Sequence, residues 1–284
     1  MPEIASPQFP VKIETIRRHY DRLSVLYRLF WGEHLHHGYW EGNESVPRAQ
    51  IQLMERLATL ARIPAGARVL DIGCGIGGSL LWLCETFGCE GVGMTISPVQ
   101  ARIATAKAKS RGLGQRIRFE INDANRWEPE PESFDVIWIM ESSEHFHEKH
   151  LFFKRCARAL KPGGVLACAA WLRRDGPFHQ GELDLVNRVG EAMLSASLAP
   201  LSDYRGWMTA AGLDVTVAED ITRYVEPTWA HCSRIGENFL VKFLIRFVDA
   251  DTRRFVRSFP LMKQAYEQGA MAFGFFVARK PGLD

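Results

Sequence analysis

The segment that most constrains this chain is Val69-Leu-Asp-Ile-Gly-Cys-Gly-Ile-Gly-Gly-Ser79. An apolar run closes on Asp71–Ile72, a glycine-rich turn follows, and a helix is expected to begin near Gly77. Glycines belong where the chain turns sharply and lets a ligand approach its backbone. Gly73, Gly75 and Gly78 also fit G-x-G-x-x-G, so a nucleotide-like ligand at a strand–turn–helix unit is the first expectation.

Around this unit, short apolar runs alternate with helical patterns, the signature of βαβ repeats. Strands are expected near Arg68–Ile72, Gly91–Thr95, Ile117–Asn122, Phe134–Met140 and Val165–Trp171, with helices at Gly77–Phe87, Pro98–Arg111 and His150–Leu160 between them. A helix at Ser202–Ala211 should end at Gly212, followed by strands near Leu213–Glu219 and Ala272–Arg279. Upstream, Ile13, Ile16, Tyr20, Leu23, Tyr27 and Phe30 form one apolar helical stripe. Ser45 and Pro47 open a second helix. Two helical stretches, Glu182–Ser197 and Ser233–Gln268, are too long for simple connections and read as a lid, the second carrying Phe239, Phe243, Phe247, Phe255, Phe259 and Met262.

A nicotinamide oxidoreductase would share the glycine loop. It would normally place a carboxylate at the end of the second strand, about twenty residues on, to hold the ribose. Here that strand ends in Met94-Thr95-Ile96-Ser97, which has none. Asp123-Ala124 follows the third strand instead, and Leu160-Lys-Pro-Gly-Gly164 precedes the fifth.

Taken together, these motifs resemble the class I S-adenosylmethionine-dependent methyltransferases. Trp31–Trp40 (W-G-E-H-L-H-H-G-Y-W), Thr95–Gln100 (T-I-S-P-V-Q) and Trp138–His145 (W-I-M-E-S-S-E-H) are similar to the γ-tocopherol and sterol C-methyltransferases, and the likeness runs from about Tyr20 to Lys280. It implies an α/β fold: a Rossmann-like seven-stranded sheet with the last strand antiparallel, an N-terminal helical cap and helical lid insertions. Residues 11–284 would then be a single domain behind a flexible 1–10. Its parts would be a cap (11–63), a cofactor-binding core (64–171) and lid insertions (172–201 and 225–268), with 202–224 and 269–284 completing the sheet.

The resemblance implies S-adenosylmethionine as cofactor and assigns it residues. Asp71 would order the loop, with Gly73, Gly75 and Gly77 approaching the amino-acid end, which Tyr20 would also reach. Thr95, Ile96 and Gln100 match the ribose stretch, where an amide replaces the usual acid. Asp123 and Ala124 would hold the adenine edge, with Trp127 against the ring. The residues after the fourth strand, Glu141, Glu144 and His145, are the catalytic candidates, as proton acceptors or as stabilisers of positive charge. A helix cap is the structural alternative for them. Trp31, His37, Tyr39, Trp40 and Trp171 are expected to wall the acceptor pocket, where aromatic faces would also shield a cation. His34, His36 and His37 invite a metal, but no Asp or Asn set completes a site, and none is expected.

Composition narrows the partners. A formal charge of +2 leaves no electrostatic footprint for nucleic acid. No run is apolar for long enough to span a bilayer, and the start lacks a signal-peptide pattern. Six cysteines without a C-x-x-C pair read as reduced thiols of a cytoplasmic protein. The expected activity is methyl transfer to a small hydrophobic acceptor. C-methylation of an aromatic or isoprenoid secondary metabolite comes first, and O- or N-methylation of a small aromatic or amine second. A non-catalytic cofactor-binding module is the remote alternative, and homo-oligomer formation stays open.

Overall fold

In the computed structural model, residues 11–30, 32–237, 253 and 256–282 are described, with 25–30 and 235–237 described as backbone only. Trp31, Phe239, Phe243, Phe247, Phe255 and the first ten residues lie outside that set.

Seven strands form one sheet: β1 (Arg68–Ile72), β2 (Glu90–Thr95), β3 (Ile117–Ile121), β4 (Phe134–Met140), β5 (Leu160–Arg173), β6 (Asp214–Asp220) and β7 (Met271–Arg279). Their order is β3-β2-β1-β4-β5-β7-β6. Only β7 runs against its neighbours, pairing antiparallel with both β5 and β6. The strand residues alternate between two cores. Val69, Val136, Trp138, Ala167, Phe273 and Phe275 face one layer of helices. Leu70, Ile72, Ile137, Ile139, Leu166 and Phe276 face the other. Burial on both faces explains why these strands read as continuous apolar runs rather than as alternation.

Helix α1 (Ile13–Phe30) and α2 (Val46–Ala61) precede the sheet; α3 (Gly78–Phe87), α4 (Pro98–Ser110) and α5 (Lys149–Ala159) follow β1, β2 and β4. Then come α6 (Gln180–Ala192), α7 (Leu201–Ala210), α8 (Thr222–Val225), α9 (Pro227–Glu237) and α10 (Phe259–Glu267). Ser97 caps α4 by accepting a hydrogen bond from the Gln100 amide, and Pro98 opens its first turn. Several boundaries differ from expectation by a residue or more, and two of the differences have a local cause. Leu160 belongs to β5 rather than to a helix, because the strand starts on Phe134 and shifts register across the Pro-Gly-Gly turn before Val136 meets Val165. Gly77 is the left-handed cap of α3, not its first residue.

Strand order turns outward in both directions from β1 and β4, which pair in parallel. The carboxyl ends of these strands therefore open a crevice, the usual ligand position in such sheets. The lid helices α6, α9 and α10 share the core on the same side as Leu53 and Leu57 of α2.

Candidate active site

Two adjoining cavities open at those strand ends. The first encloses ≈ 900 Å³ including its open mouth and is floored by the glycine loop. The glycines there do different jobs. A Cβ on Gly75 would project into the cavity, with nothing nearer than Leu35 Cδ1 at 3.8 Å and Gln100 Nε2 at 4.0 Å. A Cβ on Gly73 would instead strike Ser142 Cβ at 2.2 Å, and one on Gly77 would strike Phe119 at 2.8 Å. All three have positive φ, which glycine tolerates and branched residues do not. Gly77 thus serves packing and is not part of the cavity wall, contrary to the expectation for it.

Asp71 sits fully buried beneath the loop. The Leu80 amide at the start of α3 donates to its carboxylate, yet burial pushes its pKa up to about 7. Its Oδ2 has no hydrogen-bond partner among the described residues. Across the cavity the Thr95 hydroxyl donates to Gln100 Oε1 at 2.7 Å. That commits the Gln100 oxygen and leaves its Nε2 as the group facing the cavity. Asp123 Oδ1 accepts from both the Asn125 amide and its side chain, at 2.9 and 3.0 Å. Ile96, Asp123 and Ala124 line the cavity, as does Phe146.

The second cavity, ≈ 750 Å³, shares Tyr20, Leu35, His36, Glu141 and His145 with the first. Its other walls include Trp171, Met193, Trp229 and Phe259. His145 is fixed at both ring nitrogens. Nδ1 lies 2.9 Å from the Leu194 carbonyl, which can only accept, so Nδ1 carries the proton. Nε2 must then accept from the Tyr20 hydroxyl at 2.9 Å. Burial holds the ring's pKa down at about 4, so it is neutral at pH 7. Burial, with the Glu144 and Glu141 charges nearby, also raises that of Tyr20 well above the ordinary phenol value.

Glu141 and Glu144 differ sharply. Glu141 accepts from the His37 backbone amide and from His37 Nδ1, each at 2.7 Å, and from the Trp171 indole at 2.7 Å. Burial works to raise its carboxyl, but the His37 ring and the Trp171 donor leave it below the ordinary range. It also adopts φ 49°. That left-handed conformation costs a non-glycine residue roughly 1–2 kcal/mol, which these bonds offset. Glu144 Oε1 accepts from the Trp171 backbone amide at 2.7 Å. Its Oε2 is buried without a partner among the described residues, and burial pushes its pKa up to about 8. Glu144 and His145 do not pair with each other, as a helix-cap arrangement would require. They sit in a single 3-10 turn and bond outward.

Several expected wall residues point elsewhere. Tyr39 stacks on Tyr224 and Trp40 on His231, with the Trp40 indole donating to Thr228. Both face the helical layer, and Leu35 and His36 from the same loop reach the cavities instead. Trp127 is buried in the core under β4 and α5 and does not line the cofactor-side cavity. Phe146 stands there in its place, a residue with no periodic or motif signal. Trp229 and Met193 were equally silent in sequence, since both lie in the lid stretches where an apolar stripe serves core and pocket alike.

A family model described as a methyltransferase domain matches residues 69–164. The probable chloroplastic tocopherol O-methyltransferase of Oryza sativa subsp. japonica is 31% identical over 278 residues, spanning 92% of this chain and 76% of that protein. The chain belongs to the S-adenosylmethionine-dependent methyltransferases. A second relative, the 27-O-demethylrifamycin SV methyltransferase of Amycolatopsis mediterranei, is 30% identical and covers 94% of this chain and 97% of its own length. The solved [4+2]-cyclase SpnF has the same fold, with a TM-score of 0.79 over 98% of this chain and 99% of its own, at 24% identity.

The cavity of this methyltransferase fits its cofactor, S-adenosylmethionine, on three independent counts. The Gly75 cradle would be filled by any side chain, Asp71 Oδ2 is an orphaned buried acceptor, and Gln100 Nε2 is a donor on the opposite wall. Metal chemistry has less support. The His34 and His36 rings lie 5.4 Å apart, but His36 Nδ1 is engaged with the His37 carbonyl and His37 Nδ1 with Glu141. Among the described residues no group of three or more potential ligands converges. Turnover is therefore expected to survive exhaustive EDTA treatment. Loss of activity restored by one divalent ion would show a site the side chains do not reveal.

Proposed function

We propose that this enzyme methylates a hydroxyl group on a largely apolar small molecule. The observation that carries the reading is the second cavity: an apolar, aromatic chamber sharing its wall with the cofactor cavity and holding an unpaired carboxyl oxygen, Glu144 Oε2. Pockets of this kind orient a ligand through their few polar groups. Bound S-adenosylmethionine supplies an electrophilic methyl group on a sulfonium sulfur. Asp71 and the Gly73–Gly75 turn would hold its amino-acid end, Thr95 and Gln100 its ribose, and Asp123 with Ala124 its base. The neutral Tyr20–His145 pair stands at the boundary and keeps water out between the two ligands.

With its pKa at about 8, Glu144 is mostly protonated at neutral pH. Since Oε1 already accepts from Trp171, the proton belongs on Oε2, which donates to the acceptor oxygen. Acceptor kcat/KM should accordingly fall as pH rises through about 8, where Glu144 loses that proton. Glu144→Gln keeps a donor and should flatten this alkaline limb while staying within about tenfold of wild type; Glu144→Leu should lose about 10- to 100-fold. An unchanged pH–rate profile in Glu144→Gln would remove the residue from the reaction.

Both relatives' names specify an oxygen as methylation site, which favours O-methylation over the ring-carbon product that sequence resemblance put first. Ring carbon beside a hydroxyl remains the second reading, because it requires the same hydroxyl contacts. Turnover on matched phenols, alcohols, amines and prenyl hydrocarbons tests the proposal. Methylation of the hydroxyl compounds is expected, and turnover confined to amines or to hydrocarbons would defeat it.

A further inference from the structure

The pair His37–Glu141 is built like the orienting half of an acid–base triad. We infer that His37 Nε2 is the atom that takes the proton from the acceptor's hydroxyl, with Glu141 holding the ring and balancing its charge; this rests on the hydroxyl reading above. His37 comes from the loop before α2, whereas Glu141 ends β4, 104 positions away. Their side chains are 2% and 3% exposed. Nδ1 lies 2.7 Å from Glu141 Oε2, so the ring proton sits there and Nε2 presents its lone pair in the neutral ring. Nε2 is buried and has no partner among the described residues, and His37 lines the acceptor cavity.

Further contacts fix the ring. The His37 backbone amide donates to the other Glu141 oxygen, so the carboxylate grips the residue at two points. The imidazole is packed edge-on against Trp171 and Trp229, with centroids 5.5 and 5.2 Å away, and tilted against Phe273 and Tyr266 at 5.0 and 6.1 Å. Trp171 then ties the arrangement to the donor on the facing side. Its indole bonds Glu141 and its backbone amide bonds Glu144. Among the polar groups lining the chamber, which include the Ser195 hydroxyl, Glu144 Oε2–H is a donor and His37 Nε2 an acceptor, and this pair is the complement of a hydroxyl group.

In the step, an acceptor-oxygen lone pair forms the new O–C bond while the methyl–sulfur bond breaks and leaves its electron pair on sulfur. The hydroxyl proton passes to His37 Nε2. The resulting imidazolium is paired with the Glu141 carboxylate, and it returns the proton to solvent after the product leaves.

The test uses proton transfer itself as a readout. With S-adenosylhomocysteine bound, para-nitrophenol carrying an ortho-alkyl chain is titrated into the wild type and into His37→Gln, at a pH where the free phenol is mostly protonated. The nitrophenolate absorbance should grow on binding to the wild type and be about tenfold weaker in the variant. Turnover of the corresponding alkylphenol should fall about hundredfold in His37→Gln, and in the same direction in Glu141→Gln, with S-adenosylhomocysteine affinity unchanged. If His37→Gln does not fold, His37→Phe keeps the aromatic packing and removes both nitrogens. Equal absorbance in wild type and variant, with or without a loss of turnover, would overturn the role of His37 and leave the hydroxyl reading in place. Failure of the wild type to bind or methylate any phenol would overturn both.

Discussion

Replacing Gly75 with valine is expected to leave a folded protein that no longer binds S-adenosylhomocysteine measurably. The open space around Gly75 means a new Cβ meets no protein atom closer than 3.8 Å, so the fold has little steric reason to fail. What it fills is the cofactor's place. Its φ of 54° adds strain, roughly 1–2 kcal/mol for a residue with a Cβ and somewhat more for a β-branched one. Gly75→Ala should weaken affinity by about a hundredfold, equivalent to roughly 2.7 kcal/mol. Gly73→Val provides the contrast, because there the clash is with Ser142, whose hydroxyl anchors the end of β4 to the Ile72 carbonyl. That variant should lose its cooperative melting transition before binding can be assayed. Calorimetry and thermal melts on both variants separate the two roles. If Gly75→Val binds normally, the cofactor does not rest on this turn.

Lys149→Met should destabilise the fold by roughly 2–3 kcal/mol. Lys149 is 2% exposed, and its ammonium donates to the Phe146 carbonyl, the Ser197 carbonyl and the Ser197 hydroxyl. Burial pulls its pKa down to about 7, and the nearby Glu144 carboxyl partly opposes this. The bonds bolt the turn carrying Glu144 and His145 onto the 194–197 stretch, where Ala196 and Ser197 amides already bond the Glu144 carbonyl. Methionine fills the volume but leaves the buried Ser197 carbonyl bare and the Phe146 carbonyl with only the Ser197 hydroxyl at 3.3 Å, a cost of roughly 2–3 kcal/mol. Denaturant unfolding should show that loss. The acceptor KM should rise with it, because Ser195 and Met193 line the second cavity. A variant as stable as wild type would mean that water replaces the ammonium.

The glycine turn, Thr95 with Gln100, and Asp123 with Ala124, singled out by the resemblance, all line the first cavity, because each is local. Backbone conformation and side-chain placement there arise within a few residues of one strand end. The seven-stranded sheet and its antiparallel last strand followed from the resemblance. The acceptor cavity was less legible for a physical reason. The loop from Gly32 to Trp40 has no regular alternation of side chains, and only docking against α2, α8 and α9 decides which of them face the cavity. Tyr39 and Trp40 went to Tyr224 and His231, while Leu35, His36 and His37 turned inward. Trp127 shows the same ambiguity, since an aromatic beside a binding motif satisfies core and wall equally well. The different characters of Glu141 and Glu144 depend on His37 and Trp171, partners brought together by the fold from distant positions.

The central claim is that the methyl group goes onto a hydroxyl-bearing acceptor in the chamber beside the cofactor. Turnover of an alkylated phenol with carbon-13-methyl S-adenosylmethionine, followed by carbon NMR of the product, tests it most directly. The expected result is one labelled methyl on the phenol oxygen, lost together with turnover in Gly75→Val. Label on a ring carbon instead of the oxygen, or no labelled product from any phenol, would contradict the account.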